Sequence, residues 1–338
     1  MRYGNTWTGV WARLAALLAV FAAANVATCF GSEYFQKQRN YRSAIGDLRE
    51  HGEAHVLFLG DSHTAHPLNA YLDERADGPA YSMAFGGDSA REMFAKFRRA
   101  LQLSPRIDTL VVSAEPHMFG SGRVDSSNRS FADWYFITAR DGSGLRTTWP
   151  SALLDQIPLL NDDFLQYLRK LITSRLARST DAGTVAGTGG GDQAGTTGDA
   201  RPSGWARLSD AQRAARARQT GLSDHQSVGE HPESFEWYGR ILDLARERDI
   251  RVIGIRYPVH PDYAASVDPV RTAGIERFLR ERGMAQIIDL RGLFASPVAF
   301  DDPDHVRPDR APALLEAIVR ATGTPLVASE PARPAGEA

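Results

Sequence analysis

Short apolar runs alternate with amphipathic segments along this chain, and that rhythm limits the fold more than any other feature. The runs occupy residues 55–59, 80–85, 109–113, 251–256 and 286–290. Between and after them, helical spacing predicts helices over 67–75, 89–103, 234–248, 270–282 and 310–321. Met93, Phe94, Phe97 and Leu101 mark one such apolar face, and Phe235, Tyr238, Ile241, Leu242 and Ala245 mark another. A crossover helix between strands returns the chain to the same end of the sheet, so the pattern predicts an α/β fold with a central, mainly parallel sheet.

The first run ends abruptly, as His55-Val56-Leu57-Phe58-Leu59-Gly60-Asp61-Ser62-His63-Thr64. This is a strand-to-helix turn that carries a serine. Gly-Asp-Ser is also ordinary turn chemistry, in which glycine ends the strand and Asp or Ser caps the helix. A second element, Phe300-Asp301-Asp302-Pro303-Asp304-His305-Val306, sets Asp302 three residues before His305, close to the C-terminal helix. A serine nucleophile needs a base, and the base needs a carboxylate to fix its tautomer. An Asp-x-x-His loop supplies both, with Asp304 the alternative to Asp302 by spacing.

Together these features resemble the SGNH (GDSL-type) hydrolase family. The likeness rests on Gly60-Asp61-Ser62 as nucleophile block, Gly86-Gly87 after the second run as oxyanion block, and Asp302-Pro303-Asp304-His305 as the Asp-x-x-His block. It implies a flavodoxin-like three-layer α/β/α sandwich, with Ser62, His305 and Asp302 as catalytic residues. Backbone N–H groups of Ser62 and of Gly86 or Gly87 would hold the oxyanion. Asp61, His63, Glu115, His117 and His260 are the remaining substrate-binding candidates. His260 is also a weaker candidate for the base, and a loop histidine without a role is its plainer reading. The family's third block, Gly-x-Asn-Asp, is replaced here by Ala114-Glu115-Pro116-His117, which lacks the donor Asn. Glu115 and His117 read either as substrate contacts or as the end of a strand.

The chain looks most like the membrane-anchored branch that includes bacterial polysaccharide O-acetylation proteins and the D-alanyl-transfer proteins of teichoic acid. That likeness implies O-acyl transfer, of acetyl above all, to an envelope or exported polysaccharide, beside an integral-membrane acyl-donor partner; a carbohydrate esterase or lipase using the same site, and a non-catalytic polysaccharide-binding or assembly protein, are the alternatives. Residues 14–30, interrupted upstream only by Arg13, approach the roughly 20 apolar residues that cross a bilayer. Trp7 and Trp11 suit its interface. The expected plan is a membrane anchor over 1–32, with a cleaved signal segment as the competing reading. A connecting segment (33–54), the α/β domain (55–325) and a disordered tail (326–338) follow, which places the domain outside a bacterial inner membrane.

Composition narrows the remaining classes. The formal net charge of -2 gives no basic excess for nucleic acid. Cys29 is the sole cysteine, which rules out an internal disulfide and a thiolate metal cluster. No cofactor and no metal ligand set is read from the sequence. Between Pro116 and Pro232 the alternation breaks down, with an aromatic cluster at 131–136 and a helical stretch at 153–176. Residues 179–204, centred on Gly189-Gly190-Gly191, bury too little apolar surface to order and read as a flexible insert. No strand leads into the glycines and no Gly-Lys-Ser/Thr follows, so they are not a phosphate cradle.

Overall fold

A computed structural model describes residues 5–31, 48, 54–75, 78–120, 204–226, 231–324 and 326. The aromatic cluster, the helical stretch, the glycine-rich insert apart from Gly204 and nearly all of the C-terminal tail lie outside the described residues. The chain divides into two compact units, Met1–Ser43 with Asp133–Gly190 and Ala44–Ala132 with Gly191–Ala338. In the first unit, helix α1 (Asn5–Gly31) runs for 27 residues. Its described side chains lie at 10–24, and Trp11, Leu17, Leu18 and Val20 among them are all exposed. Among the described residues, no helix is long and apolar enough to cross a membrane.

The second unit holds the sheet. Strands β1 (Val56–Leu59), β2 (Ala80–Ser82), β3 (Thr109–Ser113), β4 (Arg251–Arg256) and β5 (Gln286–Asp289) form a five-stranded sheet in the order β2-β1-β3-β4-β5. Every pairing is parallel; Val56 faces both Ala80 and Thr109, and Thr109 faces Arg251. After β2 the chain continues along β1 without strand geometry. Met83 N–H donates to Phe58 O at 2.9 Å and Phe85 N–H to Gly60 O at 3.3 Å. The second strand is therefore shorter than residues 80–85, and Gly86 is delivered beside the end of β1.

Helices α2 (Ser62–Asp73), α3 (Ala90–Leu103), α4 (Asp210–Gln226), α5 (Pro232–Glu247), α6 (Pro269–Glu281) and α7 (Ala311–Thr322) complete this unit. Strand side chains alternate between faces. Val56, Phe58, Val111 and Ile255 meet Leu68 and Leu72 of α2 and Leu314, Leu315 and Ile318 of α7 in one core layer. Leu326 is buried in that layer too. On β1 the intervening Leu57 and Leu59 are equally buried, and α3 packs against α5. Helices thus flank a parallel sheet, an α/β arrangement consistent with three layers.

Two features differ from the sequence reading. Helix α2 starts at Ser62, not at Pro67, because Asp61 caps it: the Asp61 side chain accepts from His63 N–H at 3.1 Å. Pro67, which the sequence pattern makes the first helical residue, lies inside the helix and simply cannot donate to the His63 carbonyl. Helix α4 lies in the region where alternation failed. It is rich in Arg, Ala and Gln, with no apolar stripe to announce it.

Candidate active site

β1 and β3 are neighbours in space, yet the chain visits β2 between them, so the strand order reverses at their carboxyl ends. Crevices at such switch points are where open α/β sheets bind ligands. The turn after β1 brings Gly60, Asp61, Ser62 and His63 there, and the segment after β3 brings Glu115 and His117. Gly60 is required by space. A Cβ on it would lie 2.1 Å from Thr64 Oγ1 and 3.4 Å from Ser113 Cβ. The missing side chain lets the first turn of α2 fold down onto β3.

The third contribution comes from the far end of the chain. Phe300 and Val306 form an antiparallel bridge, and Asp301 N–H donates to His305 O at 3.0 Å, closing a tight hairpin. Within it Asp302 Oδ1 accepts the backbone N–H groups of Asp304 (3.1 Å) and His305 (2.9 Å). The same carboxylate lies 2.9 and 2.8 Å from His305 Nδ1. An ionised carboxylate only accepts, so Nδ1 carries the proton and Nε2 of the neutral ring is left as a base. Of the two carboxylates flanking His305, Asp302 is the one that fixes its tautomer. Asp304 turns to His63 instead.

His63 is buried, with Nδ1 2.9 Å from Glu115 Oε1 and Nε2 3.1 Å from Asp304 Oδ2. Burial opposes charge on this ring, but Glu115, Asp61 and Asp304 outweigh it and raise its pKa well above the ordinary imidazole value. The strut therefore ties the β1–α2 turn to the end of β3 and to the hairpin. For Asp304, burial favours the neutral form, yet the bond to His63 wins and holds its pKa below the usual carboxylate range. His117 Nε2 lies 2.8 Å from Asp61 Oδ2. Ser113 Oγ donates to Glu115 Oε2 at 2.9 Å.

The ring of His305 packs edge-on against His63, centroids 5.3 Å apart, and against His66 at 5.6 Å. His66 is one helical turn after Ser62, so both lie on one side of α2; the His305 ring meets that helix at His63 and His66 and makes no hydrogen bond to Ser62. Burial again opposes charge on His305, while Asp302 and Asp304 favour it and raise the pKa. Gly86 lies opposite Ser62: a Cβ on it would be 3.7 Å from Ser62 Cβ. Gly87 has φ +82°, the left-handed region where glycine is at ease.

Behind this loop Lys96 Nζ pairs with Asp88, bonds Met83 O at 3.0 Å, and sits 4.0 Å from the Phe85 ring centroid. Asp88 Oδ2 also accepts Phe85 N–H at 3.3 Å. Lys96 and Asp88 are buried, so the glycine loop is clamped from below.

His260 stands apart from the others. Its Nδ1 accepts from Asp262 N–H at 3.2 Å, capping the helical turn Pro261–Ala264, and its ring lies between Trp205 and Phe300. Its backbone N–H donates to Pro303 O at 2.9 Å, supporting the hairpin from behind.

Three participants escaped the sequence reading. His66 pairs with Asp301 at 3.0 Å. Its place one turn after Ser62 is visible only once the helix is started at Ser62. Asp224, from α4, accepts from Tyr263 Oη at 3.1 Å; burial first, and then the charge of Asp304, raise its pKa. The Lys96–Asp88 pair had a faint signal, since Lys96 is one of only three lysines.

No protein-family model matches the chain, and none of the curated proteins compared with it is similar enough to count as a relative.

Proposed function

We propose that the protein is a serine-dependent acyltransferase that moves an acyl group, acetyl being the expected one, onto an envelope or exported polysaccharide. The observation that carries this reading is His305, locked by Asp302 through Nδ1 and packed on His66, one helical turn after Ser62. Its Nε2 takes the proton of Ser62 Oγ as the oxygen attacks an ester carbonyl; Asp302 steadies the imidazolium. The Ser62 N–H and that of Gly86 or Gly87 receive the oxyanion. Collapse of the tetrahedral intermediate breaks the ester bond, and the His305 proton leaves with the alcohol. A sugar hydroxyl then gives its proton to His305 and takes the acyl group from Ser62, whose Oγ recovers that proton from His305 as it leaves.

In this scheme Glu115 and His117 stand where SGNH hydrolases carry the donor Asn, and they hold His63 and Asp61. Backbone donors then serve the oxyanion alone. Hydrolase and transferase share these residues; the acceptor distinguishes them. An envelope location is supported by α1, which exposes large apolar side chains between Val10 and Phe21. The helix would anchor the protein beside a membrane-embedded acyl donor.

The test uses the purified chain with p-nitrophenyl acetate, with and without an oligosaccharide acceptor. A transferase gives acetylated sugar by mass spectrometry and faster nitrophenol release when acceptor is present. Release insensitive to acceptor supports a carbohydrate esterase or lipase, and release unchanged in Ser62→Ala refutes the serine mechanism.

A further inference from the structure

We infer that Asp61, His63, Glu115 and His117 form a binding site for a zinc-class divalent cation beside Ser62. Each offers one ligand atom, and the four atoms lie within 4.8 Å of one another. All four residues are buried. Bonds of about 2.0–2.1 Å in a tetrahedral zinc site place ligand atoms roughly 3.3 Å apart. To admit the ion, the present contacts of 2.8 Å for Asp61–His117 and 2.9 Å for His63–Glu115 open by about half an ångström, while separations of up to 4.8 Å among the four close by up to about 1.5 Å.

The far sides of three of the four ligands, His63, Glu115 and Asp61, are already held as metal ligands are. A ligating histidine commonly gives its other nitrogen to a carboxylate, and a ligating carboxylate is itself hydrogen-bonded. Here Asp304 takes His63 Nε2, Ser113 Oγ donates to Glu115 Oε2, and the His63 backbone N–H donates to Asp61 Oδ1. That leaves His63 Nδ1, Glu115 Oε1, His117 Nε2 and Asp61 Oδ2 turned inward.

The charge balance points the same way. Two carboxylates, two neutral imidazoles and one divalent ion make a neutral unit, which a buried site tolerates better than a net charge. The ion replaces the protons now shared within the Asp61–His117 and Glu115–His63 pairs, and these leave to solvent. Two nitrogen donors favour zinc or cobalt over magnesium or calcium, which prefer oxygen and more ligands. A second group, His63, Asp304 and His305, offers only three ligands, and His305 Nδ1 is committed to Asp302. The inference stands apart from the acyl-transfer reading, since its readout is bound metal.

The full chain is stripped with chelator, titrated with zinc chloride by calorimetry, and measured by elemental mass spectrometry after gel filtration. The expected result is one zinc per chain. Cobalt in its place should show the intense visible absorption of a tetrahedral centre. Glu115→Gln and His117→Ala should each abolish stoichiometric binding. Should either fail to fold, Asp304→Asn leaves the four ligands intact and should weaken affinity about 10–100-fold through His63 alone. A folded wild-type chain that retains no zinc overturns the inference. So does zinc binding unaffected by the ligand variants that fold and by Asp304→Asn.

Discussion

Lys96→Met tests how the glycine loop is held. The substitution keeps most of the side chain's volume and removes the ammonium from beside Asp88, whose side chain is 0 % exposed. A carboxylate left buried without its counter-charge costs about 3–5 kcal/mol, whereas replacing both partners is often nearly neutral. With a urea slope of about 2 kcal/mol per molar, the midpoint of unfolding should fall by roughly 1.5–2.5 M. Lys96→Met/Asp88→Asn should recover a large part of that fall, because the amide still accepts from Phe85 N–H and no charge is stranded. The assay is urea unfolding followed by circular dichroism on wild type, both single variants and the double. A coupling of about 1–3 kcal/mol is expected for contacting groups of this kind. Strictly additive single effects would refute the reasoning, since they would mean the two charges do not depend on each other.

Further outcomes follow from the same structure. The neutral form of His305 is the base and its pKa is raised, so ester turnover should climb with pH through an apparent pKa above the ordinary imidazole value. Asp302→Asn should lower that pKa and reduce turnover by about 10³–10⁴; a profile unmoved by Asp302→Asn would exclude the pairing. The raised pKa also means that His305 contributes stability below its unfolded pKa. That contribution is lost as pH rises through the folded value, so stability and activity should run in opposite directions over this interval. Gly60→Ala forces a Cβ to within 2.1 Å of Thr64 Oγ1 and should cost about 1–3 kcal/mol by overpacking. It should also slow modification of Ser62, and a melting temperature equal to wild type would contradict the fit. Leu314→Ala, in the layer between α7 and the sheet, should destabilise by about 2–5 kcal/mol in the same urea assay while leaving the pH profile unshifted.

The buried strands were the most legible part of the chain. β3 and β4 occupy the predicted residues 109–113 and 251–256. Continuous apolar runs between turn signals leave a parallel strand little freedom. Boundaries set by single side chains were harder. Pro67 suggested a helix start, but the capping bond of Asp61 began the helix five residues earlier. Helix α4 was invisible because Arg, Ala and Gln give no stripe. Within the site, the Asp302–His305 contact is local, three residues apart, and spacing suffices to suggest it. The bonds of His63 to Glu115 and Asp304 cross 52 and 241 residues of sequence, and only the sheet order brings them together.

Covalent labelling of Ser62 tests the central claim most directly. The purified chain is treated with a fluorophosphonate probe, digested and mapped by mass spectrometry. The account predicts one adduct, on Ser62, absent in Ser62→Ala and formed about 10²–10⁴-fold more slowly when His305 is replaced by Ala. A folded chain in which Ser62 stays unmodified, or in which it reacts equally fast without His305, would contradict it.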